Sequence, residues 1–303
     1  MRDATPFVTS LQGSRAEEAA GGIVSDFMQL TKARLTMLVV ITAIVGYCMA
    51  SAGPFDWLRF AHTVVGTALV AGAAAVFNQL AEVNVDRLME RTRSRPLPSG
   101  RMSRHSAIAV GSLMGVLGLV EIFATTNLTA TALAAITFLI YVLIYTPMKR
   151  RSSFCVTVGA VSGAIPPVIG WCAFDGSFGL GAWVLFGILF AWQMPHFLAI
   201  AWMYRDEYSQ AGFVMLPRSD ISGFWTSVQS LFFSVVLTAI TLVPFFAGKT
   251  GWLYVAGAML FNALMLVTSV KFMLNRSRSA ARTLFFASII YLPALLTLMV
   301  FTK

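Results

Sequence analysis

Apolar residues run along this chain in long blocks rather than in the alternating or one-faced patterns of soluble strands and helices. Windows free of charge cover 35–55, 60–81, 122–148, 152–174, 176–204, 221–248, 250–270 and 283–302. A helix rises about 1.5 Å per residue, so roughly 20 apolar residues cross the hydrocarbon of a bilayer. The blocks predict nine transmembrane helices, at about 35–52, 60–82, 106–126, 128–148, 153–174, 180–204, 226–248, 251–272 and 283–302. Glu121, near the end of the third, is the acid that fits this pattern worst. The expected fold class is an all-α polytopic membrane protein, one helical bundle with a central cavity open toward the cytoplasm. Residues 1–30 read as a cytoplasmic tail and 31–303 as a single intramembrane domain.

Composition supports this pattern: 57% of the 303 residues are hydrophobic and 12% are charged, against about 25% charged in a soluble protein. So little charge cannot cover a water-facing globule, which excludes a soluble enzyme, a disordered chain and a secreted disulfide scaffold. Cys48, Cys155 and Cys172 are odd in number and lie in or beside apolar blocks, so they read as small core residues. The net charge of +9 belongs to topology rather than to nucleic acid. Of the 22 Lys and Arg, all but Arg59, Lys249 and Lys303 fall on one side of the nine spans. The positive-inside rule makes that side cytoplasmic, with the C-terminus periplasmic in a bacterial inner membrane. The first 30 residues have neither signal-peptide nor transit-peptide character, so the first span is expected to act as an uncleaved anchor.

Polar groups concentrate in the basic loops. In the first loop Asn78, Glu82, Asp86 and Glu90 stand four apart, which stacks neighbours on one helical stripe. Like charges so placed repel, and a bound cation relieves them. Oxygen ligands suit Mg²⁺, which takes one or two carboxylates and completes its shell with water and phosphate. Arg91 and Arg95 continue the spacing and match phosphate oxygens, and Pro96 and Pro98 are expected to end the helix. The bland alternative is a solvated helix end with internal Glu–Arg pairs.

A second loop carries Asp206 and Glu207, expected to ligate a second Mg²⁺ across from the first stripe, with Tyr208 and Gln210 beside them; a solvated helix terminus explains the pair equally well. Lys32, Lys149 and Arg150 border spans on the same side, as topology markers or as pyrophosphate contacts. His196, in Trp192-Gln193-Met194-Pro195-His196-Phe197, is a polar group at membrane depth and hence a functional candidate. Were its helix to continue, it would lie about 15 Å deeper than Asp206.

These residues carry a family resemblance. Asn78-x3-Glu82-x3-Asp86 is similar to the first motif of the UbiA-type intramembrane prenyltransferase superfamily. Met89-Glu-Arg91-Thr-x-x-Arg95-Pro96-Leu-Pro98-Ser-Gly100 resembles its protohaem IX farnesyltransferase (haem O synthase) branch. So do Leu30-Thr31-Lys32-x-Arg34, Tyr145-Thr146-Pro147-x-Lys149-Arg150, Gly163-Ala-x-Pro166-Pro167, the Trp192–Phe197 segment and Asp206-x-Tyr208-x-x-Ala-Gly212-x-x-Met215-Leu-Pro217. Ala33, Glu207 and Val214 depart from the branch's common proline, aspartate and proline, and Gln210 removes the acid pair of quinone-pathway relatives.

The resemblance implies transfer of a farnesyl group from farnesyl diphosphate to a vinyl group of haem B, giving haem O and diphosphate. Mg²⁺ would be the cofactor, one ion or two, held by Asn78, Glu82, Asp86, Asp206 and Glu207. Haem B would be substrate rather than prosthetic group, with His196 as an iron ligand or an orienting donor. Lipid surrounds the enzyme, and haem A synthase or oxidase assembly factors are the implied protein partners; nucleic acid is not one. Rival readings are prenylation of a quinone precursor, a transporter with acids near the midplane, and a haem-binding assembly protein.

Overall fold

The computed structural model describes residues 22–303; most of the expected tail lies outside the described residues. A short helix, α1 (Ile23–Leu30), precedes nine long apolar helices. These are α2 (Ala33–Ala50), α3 (Trp57–Asp86), α4 (Arg104–Thr125), α5 (Leu128–Met148), α6 (Cys155–Asp175) and α7 (Leu180–Met203), then α9 (Phe224–Phe246), α10 (Trp252–Asn275) and α11 (Arg278–Phe301). Between α7 and α9 lies the six-residue α8 (Arg205–Gln210). All nine expected spans are present, each within a few residues of its expected ends. Large apolar side chains such as Leu113, Val116, Val120 and Phe123 on α4 are exposed at helical spacing. They form a lipid-facing surface, since water would not tolerate so continuous a patch.

Sequence explains where the helices start, bend and touch. Asp56, Ser103, Asn127 and Ser277 cap α3, α4, α5 and α11, their side chains accepting bonds from backbone N–H groups three residues on. The misfit acid of α4, Glu121, meets His62 of α3 at 2.6 Å, which satisfies it inside the apolar block. Pro166 and Pro167 interrupt α6 after Ala164, because neither can donate to the preceding turn. Around residues 140–145, α5 loosens into one π turn, where the Thr146 hydroxyl donates to the Tyr141 carbonyl at 2.8 Å.

Lipid tails supply no hydrophobic drive between spans, so close backbone approach at small residues does the work. Helices α2 and α6 cross at Gly46 and Gly170. A Cβ on Gly46 would sit 1.8 Å from the Pro167 carbonyl oxygen, and one on Gly170 1.9 Å from that of Ala43. The Gly163 motif and the Trp192 motif, far apart in sequence, also meet: a Cβ on Gly163 would lie 2.0 Å from Gln193 Oε1. Gln193 donates instead to the Leu189 carbonyl at 3.0 Å.

On the far side of the bundle, α9, α10 and α11 are joined by buried hydrogen bonds. Tyr254 donates to the Thr241 carbonyl at 2.8 Å, Asn262 to the Thr241 hydroxyl at 2.8 Å and Tyr291 to the Asn262 side-chain oxygen at 2.7 Å.

Gly170→Ala should therefore destabilise the protein by about 3 kcal/mol, because both backbones must part to admit one methyl group. Thermal unfolding in detergent measures this. An unchanged midpoint would mean that α2 and α6 are not in backbone contact.

Candidate active site

The stripe Asn78, Glu82, Asp86 lies on the last turns of α3, and all three side chains are buried. Each is matched by a cation from a different segment. The Lys32 ammonium, between α1 and α2, donates to Asn78 Oδ1 at 2.5 Å. Lys149, just past α5, lies 2.7 Å from Glu82 Oε1. Arg95, in the loop after α3, lies 2.8 Å from Asp86 Oδ2. The Asn78 amide N–H also donates to the Thr146 hydroxyl at 3.0 Å. The π turn of α5 thus ends with its hydroxyl against the stripe, and such turns occur frequently at functional sites.

Helix α3 stops at Asp86, so the expected continuation through Glu90 and Arg91 to the prolines is corrected. The Thr92 hydroxyl takes the Asp86 carbonyl at 2.8 Å, in place of the bond a further helical turn would use. Repulsion among carboxylates at 82, 86 and 90 favours the same outcome. The chain then folds back through a compact series of turns in which Pro96, Leu97 and Pro98 are buried, and this reversal brings Arg95 to Asp86. Glu90 and Arg91 are exposed, and Glu90 lies 3.7 Å from Arg93.

The second loop approaches through apolar groups rather than acids. Ala211 and Phe213 form a buried cluster with Val85 and Met89 of the first loop, with Tyr208 packed against it. The Val214 N–H donates to the Lys149 carbonyl at 2.6 Å, tying this loop to the cation that faces Glu82. Asp206 and Glu207 stand on the exposed side of α8, with Asp206 3.7 Å from Arg205. The structure does not bring them to the stripe. Arg150 is likewise exposed. Tyr204 breaks the helix between α7 and α8, so His196 and Asp206 do not share one continuous helix.

The two lysines differ electrostatically. Burial pushes the Lys32 pKa down to about 7, helped by the neighbouring Lys149 ammonium, and the neutral Asn78 amide offers no charge in return. Burial also opposes the charge on Lys149, but Tyr145 and the facing Glu82 carboxylate outweigh it and hold its pKa above the ordinary lysine value. Lys149 is locked to an acid; Lys32 is held by a dipole alone.

The donor set fits a hard divalent ion. Glu82, Asp86 and the Asn78 amide oxygen are buried oxygen ligands on one stripe, the number of carboxylates Mg²⁺ ordinarily takes. Among the described residues no three His, Cys, Asp or Glu converge as a self-sufficient metal cage. Such an ion would therefore need further oxygens from water or a phosphate.

His196 stands apart on α7, facing α11. Its ring stacks between Trp192, at 4.9 Å, and Phe285, at 5.1 Å. Its Nδ1 is 2.7 Å from the Ser288 hydroxyl, which donates its one proton to the Phe285 carbonyl at 2.6 Å. The Ser288 hydroxyl thus ties the imidazole to the backbone of α11 and fixes the plane of its ring. Nothing in the sequence distinguishes Ser288 from the many span hydroxyls that bond their own helix, so only packing reveals its contact with His196.

The UbiA prenyltransferase family pattern matches residues 39–290. A protoheme IX farnesyltransferase of Solibacter usitatus is 39% identical over 287 residues, covering 92% of this chain and 98% of its own. One of Opitutus terrae is 42% identical over 286 residues, covering 94% and 97%. Among solved structures, a digeranylgeranylglyceryl phosphate synthase superposes with a TM-score of 0.80 at 18% identity, over 92% of this chain and 98% of that one. A UbiA homologue from Archaeoglobus fulgidus bound to DMAPP and Mg²⁺ superposes with a TM-score of 0.64 at 11% identity, over 91% and 99%. These two likenesses concern the fold.

Breaking one buried pair should cost more than removing it whole. Glu82→Gln and Lys149→Met should each destabilise by about 3 kcal/mol, since each strands a buried charge or its donors, and the double variant by less than their sum. Denaturation in detergent tests this; strict additivity would show that the two groups do not interact.

Proposed function

The chain belongs to the UbiA prenyltransferase family, and from that premise we propose that it transfers a farnesyl group from farnesyl diphosphate to a vinyl group of haem B. Water adds in the same conversion, and haem O and diphosphate leave. The observation that carries this is the buried stripe of Asn78, Glu82 and Asp86, each member set against a cation. Relatives named for protohaem farnesylation, at 39% and 42% identity over nearly the whole chain, favour this substrate over a quinone precursor. The family excludes the transporter and assembly-protein readings.

Glu82 and Asp86, with the Asn78 oxygen, would hold Mg²⁺, which supplies positive charge to the diphosphate as its carbon–oxygen bond breaks. Lys32, Lys149 and Arg95 already lie against those oxygens and need only turn toward phosphate. Their charges then stabilise the departing anion where it forms. Surrounding helix walls keep water from the allylic farnesyl cation until the vinyl group attacks it.

His196, stacked on Trp192 and Phe285 and bonded through Nδ1 to Ser288, serves haem as an iron ligand or as an orienting donor. Arg91, Arg150 and Tyr208 border the mouth as further contacts for anionic substrate, and Asp206 and Glu207 would reach a second metal only by movement of α8. The apolar space of about 30 Å³ lined by Val39, Val70, Ala134 and Phe138 holds no more than about two waters. The excess of Lys and Arg in the loops at the stripe's end of the bundle supports a catalytic mouth on the cytoplasmic side of a bacterial inner membrane, with the C-terminus periplasmic. Residues 31–303 act as one domain, and haem A synthase or an oxidase assembly factor is the expected recipient of the product.

Expression of the chain followed by chromatography of extracted haems should reveal a more hydrophobic, farnesylated species; haem B alone would overturn the proposal. Asp86→Ala should lower turnover at least about 100-fold while the protein remains inserted and folded. His196→Ala should weaken haem binding by about tenfold or more with little change in farnesyl diphosphate affinity. Equal loss of both affinities would remove the assigned role of His196.

A further inference from the structure

Beside Asn78 on α3 stands a buried polar side chain that the chemistry above does not use. Gln79 is fully buried, and its amide nitrogen donates to the main-chain oxygens of Gln29, at 2.7 Å, and Leu30, at 2.8 Å. Those are the last two residues of α1. Immediately after them the chain turns into α2 through Lys32, whose φ of 48° and ψ of 50° lie in the left-handed region. A side chain other than glycine seldom adopts that conformation, and it persists only where its surroundings impose it.

The imposed geometry is visible. The Thr31 hydroxyl donates to the Phe27 carbonyl at 2.9 Å and the Thr36 hydroxyl to the Thr31 carbonyl at 2.8 Å. Both oxygens that Gln79 holds lie between these two anchors. Successive residues on a helix point about 100° apart, so neighbours on α3 reach the two ends of one structure. Asn78 takes the Lys32 ammonium, and Gln79 takes the backbone just before it. The Gln79 Oε1 atom is buried without a partner, an unfavourable state. A glutamine kept there is kept for its two donor hydrogens.

We propose that Gln79 is a positioning residue: by holding the Gln29 and Leu30 carbonyls it fixes the α1–α2 turn that delivers the Lys32 ammonium to the diphosphate end of the site. It touches neither substrate nor metal, and acts through Lys32. This rests on the reading of Lys32 as a diphosphate contact.

The test is calorimetric binding of inorganic diphosphate with Mg²⁺ to the purified full chain in detergent, in wild type, Lys32→Ala, Gln79→Ala and the double variant. Lys32→Ala and Gln79→Ala should each weaken binding about tenfold, and the double variant no more than Lys32→Ala alone. Haem affinity should stay at the wild-type value in Gln79→Ala. Losses that multiply in the double variant, wild-type affinity in Gln79→Ala, or an equal fall in haem affinity would overturn the proposal. Wild-type affinity in Lys32→Ala would remove the reading of Lys32 as well, which separates that failure from one confined to Gln79. Should Gln79→Ala not fold, Gln79→Glu, of equal size but with the donor group replaced by an acceptor, carries the same comparison. Unaltered diphosphate binding in it would equally refute the role.

Discussion

Two carboxylates buried at the end of α3 set the terms for the whole basic end of this protein. An unpaired charge away from water is costly, so Glu82 and Asp86 require partners, and α3 itself supplies none. Lys149 comes from the end of α5 and Arg95 from a loop that folds back nine residues. Lys32, from the turn before α2, completes the row on Asn78. Three separate segments, two of them more than 40 residues away, are thereby tied to one helix. The same pairing offsets both carboxylates, while the Lys32 ammonium rests on a neutral amide.

The rest of the bundle follows from what a bilayer withholds. With no hydrophobic drive between spans, association comes from close packing at small residues and from hydrogen bonds. Both devices are used, in different places. Helices α2 and α6 meet at Gly46 and Gly170, whereas α9, α10 and α11 are joined through Thr241, Tyr254, Asn262 and Tyr291. The acid stripe belongs to the first group of spans. His196 faces the second, oriented by Ser288 of α11. The acid stripe and the histidine thus stand on separate walls of one bundle.

Secondary structure and chemistry were largely legible because each had a short-range signal. Runs of about 20 uncharged residues define membrane spans without any tertiary knowledge, and all nine appear near their expected places. The stripe at 78, 82 and 86 was readable because four-residue spacing fixes a shared helical face. Where the helix stopped was not readable: the Thr92 hydroxyl, rather than Pro96, ends it at the Asp86 carbonyl. The acidic pair Asp206-Glu207 looked like an opposing ligand set, yet Tyr208, Ala211 and Phe213 are what the second loop packs toward the first.

Sequence alone determined the membrane habit, the number of spans, the sidedness of charge and the helix that carries the acidic stripe, since all of these follow from local periodicity and hydropathy. Only tertiary structure decided which cation meets which acid, why Lys32 adopts a left-handed turn, and which hydroxyl meets His196. Those outcomes depend on contacts between residues tens of positions apart: Asn78 with Lys32 and Thr146, Glu82 with Lys149, His196 with Ser288. No pattern within a single helix encodes such partners. They are fixed when the spans pack and each buried polar group must find another.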